Sequence, residues 1–568
     1  MAHQHDSHDH SHNHTENPPS GSVKPVALLL LAVFVFYVIL LGMRLPQSWT
    51  TNSLSHSHGE SPAATSEIAT LSDENAQNTT IKMTEAESVA EHSHDHTEHE
   101  NVVHEHAKQS EKALPPAMYA VFPFVFLLLC IAILPLVPAT SHWWEHNSSK
   151  FLVAASLGMI TLLYYMFVHH SPVEAHWAGH IAAGNAGFQR AWTVFENAII
   201  GEYISFIVLL FALYTIAGGI RIEGDLRAKP ITNTIIMAIG AVFASFIGTT
   251  GAAMLLIRLL LETNKERKNK THTVIFFIFI VCNCGGLLTP LGDPPLFLGF
   301  LKGVKFEYTL LNLWPEWLFV NGLLLVIYFL WDTLFAYPRE PKENIQKDTM
   351  ETTPLRIQGV FPNVFLLIGV VLTVLFLDPS KAIGGWHPWY YSREIAQLGL
   401  VFLSLTLGNY AIRITNKFSY AAIIEVAALF FGIFICMQAP IQILNVYGPK
   451  LGIDTSHHFF WAAGALSSFL DNAPTYVVFF ETALSLGNAP ANAIDLCGVP
   501  INPAFLAAIS LGAVMMGAMT YIGNGPNFMV KAIAEETGVK MPSFFGYMLY
   551  SCLVLLPILF IMTMIFLR

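Results

Sequence analysis

Charged side chains are scarce in this chain, 12% of 568 residues, against about 25% in an average soluble domain. A soluble protein of this length divides into several domains, each needing a polar coat, and here there is too little charge to supply one. Cysteine is scarce as well. Its six positions (Cys130, Cys282, Cys284, Cys436, Cys497, Cys552) lie mostly in or beside apolar runs, which is not the pattern of a disulfide framework. Cys282 and Cys284, spaced C-x-C, read as small packing residues. No basic stripe points to nucleic acid. No catalytic constellation or soluble output domain stands out, which argues against a membrane enzyme or sensor.

Apolar sequence is abundant: 53% of the chain is hydrophobic. Runs of about 20 residues, enough to cross a bilayer, fall near 117–137, 151–168, 202–220, 273–301, 316–335, 359–377, 395–411, 421–438, 503–530 and 544–567. An uncleaved anchor helix at 24–43 makes about 11 spans in an all-α polytopic membrane protein. Its flank is rich in His and Asp rather than basic, and no small-x-small cleavage site follows, so it does not read as a signal peptide. Segments 231–261 and 459–486 are too long for one span and carry polar, Gly- or Pro-containing breaks.

The remaining polar segments are a His-rich cytoplasmic tail, 1–23, and a disordered His-rich external loop, 44–116. Within that loop His92, His94, His96, His99, His104 and His106 alternate with acidic and hydroxyl residues, a composition that binds divalent metal weakly. Nothing there fixes a structural zinc geometry.

Basic residues mark cytoplasmic loops. Arg221, Arg227 and Lys229 precede 231–261, and Lys265, Arg267, Lys268 and Lys270 follow it. That segment therefore enters and leaves by one face, as a re-entrant hairpin. Alternation then places the N-terminus in the cytoplasm, 336–358 as a cytoplasmic linker, and the second hairpin open to the outside.

Two stretches match. Glu202 and Glu425 each open an apolar run and are 223 residues apart; so are Ser245-Phe246 and Ser468-Phe469 at the hairpin breaks. Thr289 to Pro295 (TPLGDPP) matches Thr520 to Pro526 (TYIGNGP), setting Asp293 opposite Asn524. The hairpins open to opposite faces, so 117–335 and 359–568 form an inverted repeat with two re-entrant hairpins and two broken helices. Broken backbone survives in hydrocarbon only where protein buries it or a cavity receives it, and such repeats bind substrate near the midplane.

The breaks carry hard oxygen ligands: Thr249 and Thr250; Asn283, Thr289 and Asp293; Ser468, Asp471, Asn472 and Thr475; Thr520, Asn524 and Asn527. Ser467 adds a further hydroxyl. These suit Na⁺ or proton-linked sites better than soft metals. An ionised carboxylate buried in a membrane is costly and usually has a functional partner. A site that holds either Na⁺ or a proton is the basis of antiport. Asp293 and Asp471 are also candidate helix caps, and Glu202 and Glu425 are explained by placement near helix N-termini. Arg258, in the first hairpin, either reaches toward the cytoplasm or pairs with an acid.

The motifs SSFLDNAPT (Ser467 to Thr475), NCGGLLTPLGDPP (Asn283 to Pro295) and YIGNGPNFMVKAIAEE (Tyr521 to Glu536) resemble the ion transporter superfamily over residues 117–568. The resemblance is to NhaD-type sodium/proton antiporters and the related citrate-transporter group. It implies a scaffold and a transport domain, elevator-like movement, a homodimer in a bacterial inner membrane, and site roles for Asp471, Asn472, Thr475, Asp293 and Asn524. The anchor helix and His-rich loop depart from it. The expectation is a secondary active transporter, with sodium/proton antiport first, Na⁺ and protons as transported species, and no cofactor. Citrate or another carboxylate is the alternative, and divalent-metal export the second alternative.

Overall fold

The computed structural model describes residues 23–49, 114–135, 137–173, 175, 187–379, 384–487, 490, 492–496 and 499–567. The metal-binding histidines expected at His92, His94, His96, His99, His104 and His106, and most of segments 1–23 and 44–116, lie outside them. The described chain is mostly helical, and its buried apolar side chains form one large core with two small clusters beside it. Among the described residues six helices are long and apolar enough to cross a membrane, or up to eight if each of two bent pairs is one span. The expected eleven spans are not reached by that measure, because several apolar segments fold as shorter helices: Leu28–Gly42, Val360–Phe376 and Pro503–Met519.

Both anticipated hairpins are helix–break–helix units whose arms pack on each other. The first joins Pro230–Ile247 to Thr249–Thr263, the second Ser456–Ser467 to Asn472–Ser485. Both interrupted helices are present as well. In one, Thr271–Ile280 passes through a 3₁₀ turn (Cys284–Leu288) to Pro294–Leu301. In the other, Pro503–Met515 passes through Met516–Met519 to Gly525–Glu536. The two second arms start 223 residues apart, at Thr249 and Asn472; the two outer half-helices start 231 apart, at Pro294 and Gly525. Each second arm packs against the outer half-helix of the other repeat, so the repeats interlock at their breaks.

Glycine makes the breaks buildable. Gly292 lies against the backbone of Gly286, and its counterpart Gly523 against that of Gly517; a Cβ on either would run into the facing carbonyl. At the first hairpin break Gly248 takes φ +81°, a conformation that disfavours side chains. At the matching position Asp471 sits at φ −56°, ψ 135° and serves as a helix cap instead. The repeats share a path but solve the turn differently.

Around this unit stand Asn147–Phe167, Ile204–Ala217, Val360–Phe376, Ser392–Leu407 and Ala421–Cys436, packed on one another. The anchor helix Val23–Gly42 lies on Ser392–Leu407, and Tyr37 donates to the Tyr390 carbonyl at 2.7 Å.

Two expectations need correcting. The linker 336–358 is more than a connection: its strand β2 (Thr353–Gln358) pairs antiparallel with β1 (Arg221–Asp225). The all-α reading missed this ribbon, and a second one, β3 (Ile494–Leu496) with β4 (Val499–Ile501), because both lie in polar connections between spans. Glu202 does not begin its helix. The helix starts at Gly187 and runs through a π-helical stretch, Glu196–Tyr203, to Ala217. A helix N-terminus therefore cannot compensate that charge; Lys302 lies against it at 3.4 Å instead.

Candidate functional site

The two breaks meet at Asp293. Its Oδ1 accepts from Thr249 Oγ1 at 3.0 Å and from Asn524 Nδ2 at 3.1 Å, and its Oδ2 accepts from Asn472 Nδ2 at 2.5 Å. Thr249 and Asn472 are equivalent residues of the two hairpins, and Asn524 is the repeat counterpart of Asp293 itself. All four are buried, none more than 4% exposed. Both repeats thus close on a single carboxylate.

Proline explains why this carboxylate is available. An Asp before a helix normally accepts from the second or third helical amide. Asp293 precedes Pro294 and Pro295, which have no N–H, and the third amide, Leu296 N, goes to the Asp293 carbonyl at 3.1 Å, so the side chain makes no cap bond to its own helix. Its oxygens turn across the junction. Asp471 precedes Asn472 and Ala473, and its Oδ1 accepts from Ala473 N at 3.1 Å. The expected capping role therefore falls to Asp471, which is partly exposed, while Asp293 binds across repeats.

A second layer fixes the amides. Asn283 donates to Asn527 Oδ1 at 2.7 Å and to the Ile278 carbonyl at 2.9 Å. Asn527 donates to the carbonyls of Gly517 (2.9 Å) and Thr520 (3.0 Å). Asn524 also reaches the Cys282 carbonyl at 3.1 Å. One atom is left over: Asn472 Oδ1 is buried and has no protein partner, although its amide nitrogen is on Asp293.

The hydroxyls predicted at the breaks are mostly braces. Thr289 Oγ1 donates to the Ser245 carbonyl, and Thr520 Oγ1 to the Ser468 carbonyl at 2.5 Å. These contacts are repeat equivalents, as are Thr289 Oγ1 with Leu291 N and Thr520 Oγ1 with Ile522 N, each 3.2 Å. Ser467 donates to the Ala513 carbonyl (2.6 Å), Ser468 to the Gly464 carbonyl (2.8 Å), and Thr475 to the Asp471 carbonyl (3.1 Å). Thr250 is partly exposed beside the tip. Asp293, Asn472, Asn524, Thr249, Asn283 and Asn527 come together; Thr289, Thr520, Ser467, Ser468 and Thr475 hold the backbone around them.

The electrostatics of the junction favour negative charge. Four helices begin there, at Thr249, Asn472, Pro294 and Gly525. A helix start carries about +0.5 elementary charge and first-turn amides without intrahelical acceptors. Prolines strip amides from the broken helices, so the hairpin tips supply most of the donors. The carbonyls at the ends of the incoming segments are largely engaged: those of Ser245, Gly285, Ala513, Met516, Gly517 and Ser468 all accept side-chain hydrogen bonds.

Charges absent from the sequence-based site also appear. Lys302 lies between Glu481 Oε1 (2.8 Å) and Glu202 Oε1 (3.4 Å). Lys150 meets Glu425 at 2.6 Å, and Arg267 meets Asp332 at 2.5 Å with His272 at 3.0 Å from the same carboxylate. Lys302 and Lys150 are lone charges in or beside apolar runs, which was the available signal; Arg267 lies in a charged loop and gave none. Among the described residues no group of three His, Cys, Asp or Glu side chains is arranged to hold a metal ion.

Helices broken in matched pairs, meeting at a buried polar centre in an apolar helical protein, define a membrane transport protein. The chain belongs to the family described as "Putative citrate transport", whose model matches residues 112–567. A search of the curated proteins finds no match.

Proposed function

We propose that this chain is a secondary active transporter of a small carboxylate, citrate first, coupled to a cation or proton taken up at Asp293. The observation that carries this reading is the convergence of four helix starts on one carboxylate. Helix N-termini favour anions, and in transporters with inverted repeats they face the anionic groups of substrate. Asp293 alone, with Asp471 nearby in sequence to the second tip, would repel such a substrate. A cation or proton on Asp293 removes that repulsion, so substrate and coupling ion bind together. Asn472 Oδ1, buried and without a protein partner, supplies a further oxygen to a cation on Asp293. The family description agrees with the carboxylate.

Sodium/proton exchange is the second reading. Asp293 favours it, being a carboxylate that Na⁺ and protons compete for without any organic substrate. Proteoliposomes separate the two. Citrate accumulation driven by an imposed Na⁺ or proton gradient, and lost in Asp293→Asn, is the expected result. Na⁺-dependent proton movement in the absence of citrate, with no citrate uptake, would replace the first reading by the second.

A further inference from the structure

A cavity of 850 Å³ opens between the first hairpin and the β1–β2 ribbon, on the face that carries the basic loops. Five cationic residues line it: Arg221, Arg258, Lys265, Lys270 and Arg356. Three are engaged. Arg221 pairs with Glu223 at 2.7 Å, Lys265 with Asp225 at 2.7 Å and Glu262 at 3.3 Å, and Lys270 donates to the carbonyls of Asn264 (3.1 Å) and Lys265 (3.2 Å). The two acids in the wall, Glu223 and Glu262, are therefore taken. The side chains of Arg258 and Arg356 make no hydrogen bond or ion pair among the described residues. Arg258 is partly buried, where an unpaired guanidinium is costly unless something binds it.

Position adds to charge. Arg258 lies on the second arm of the first hairpin, nine residues after Thr249, which is roughly 13 Å of helix. Met254 and Leu255, closer to the tip, also line the cavity, so the cavity follows this arm toward Asp293. Arg356 stands on the other wall, on β2. The repeat counterpart of Arg258 is Glu481, whose charge Lys302 neutralises. The first hairpin thus combines an open cavity with a cation that no acid among the described residues pairs.

We infer that this cavity is a docking site for a polycarboxylate on its way to Asp293, with Arg258 and Arg356 as its cationic ligands from opposite walls. Planar guanidinium forks match carboxylates two bonds at a time, and two of them on opposite walls suit a ligand with more than one anionic group. The inference rests on the carboxylate reading above and names the residues that recruit that substrate.

The test is equilibrium binding to the full-length protein in detergent, using citrate, acetate and inorganic phosphate as probes. Citrate is expected to bind more tightly than acetate or phosphate. Arg258→Gln should weaken citrate binding roughly tenfold, the loss of one charge-assisted contact, and Arg356→Gln several-fold. Lys342→Gln, which removes an exposed cation outside the cavity, should change it less than about twofold. Unchanged citrate affinity in both arginine variants, or no citrate binding by the wild type, would overturn the site. So would equal binding of phosphate and citrate that ignores the arginines. Thermal unfolding and Arg258→Lys, which keeps the charge and should recover part of the binding, separate a ligand from a packing role. Citrate bound through the arginines but not carried into proteoliposomes would keep the site and reject the carriage reading.

Discussion

Replacing Asp293 by Asn removes one charge from the junction and almost nothing else. Asn keeps an acceptor for Thr249 and Asn524, now 3.0 and 3.1 Å from Oδ1. Its new amide faces the Asn472 amide, but Asn472 can turn over and offer Oδ1, which has no other protein partner. The hydrogen bonds survive in number, so stability should stay within roughly 1 kcal/mol of wild type. Asp293→Ala is different. It orphans the Thr249 hydroxyl and the Asn472 amide, at about 1–3 kcal/mol each, whereas Asn524 retains the Cys282 carbonyl. The functional effect of Asn is larger. A cation 4 Å from a carboxylate gains about 4 kcal/mol at an effective dielectric of 20, roughly a thousandfold in affinity. Neutral Asn imitates the proton-loaded carboxylate, so citrate should still exchange across the membrane while gradient-driven accumulation is lost. Proteoliposomes loaded with unlabelled citrate measure the first, and an imposed Na⁺ or pH gradient the second. Asp471→Asn is the control: Asn caps a helix as well as Asp, so the tip keeps its bond to Ala473 and coupling should persist. A folded Asp293→Asn protein that accumulates citrate with wild-type Na⁺ and pH dependence would refute Asp293 as the coupling site.

Thr520→Val deprives the Ser468 carbonyl of its donor, and Thr289→Val does the same to Ser245. Each should cost about 1–3 kcal/mol in reversible unfolding, and similar losses would show that the two braces are equivalent. Lys302→Met leaves Glu202 and Glu481 facing each other with side chains 19% and 9% exposed. Breaking a buried pair costs about 3–5 kcal/mol, and this partly wetted one should fall at the low end; adding Glu481→Gln should recover part of it in thermal melts. His169, just past the helix Asn147–Phe167, has its pKa lowered by burial, then by Arg190 and His170. The folded state prefers it neutral, so its contribution is complete above the ordinary histidine value near 6.5 and is lost as pH falls below it. Unfolding free energy measured between pH 7.5 and 5.5 should decline less in His169→Phe.

The breaks were legible because polar and turn-forming residues are rare inside apolar runs. The offset linking Ser245 to Ser468 also links Thr249 to Asn472, and the offset linking Thr289 to Thr520 also links Asp293 to Asn524. Which aspartate holds the centre was legible too, in the prolines after Asp293 and the free amide two residues after Asp471, though this signal went unused. The ribbon of β1 and β2 was not legible, since it joins strands more than a hundred residues apart in polar loops. The partners of Glu202 and Glu481 were hidden for the same reason. A lone charge in an apolar run announces that it needs a partner but not where the partner comes from, and here Lys302 reaches both from the end of a broken helix.

The matched path and the unequal chemistry of the repeats bear on the movement that the resemblance implies. The repeats trace one backbone plan, yet Asp293 stands against Asn524, Gly248 against Asp471, and Arg258 against Glu481. In this conformation the side of the first hairpin is open and cationic, while the Glu481 side is tied by Lys302. Pro294–Leu301, which ends at Lys302, packs on Asn472–Ser485, which carries Glu481, so that 2.8 Å pair lies within the interlocked unit. Glu202 belongs to the surrounding helices, and its contact with Lys302 is the longer one at 3.4 Å. If the interlocked unit moves as a body, as the resemblance implies, the first pair is kept and the second is broken. On that movement Lys302 goes on compensating the charge of Glu481, while Glu202 loses its 3.4 Å contact.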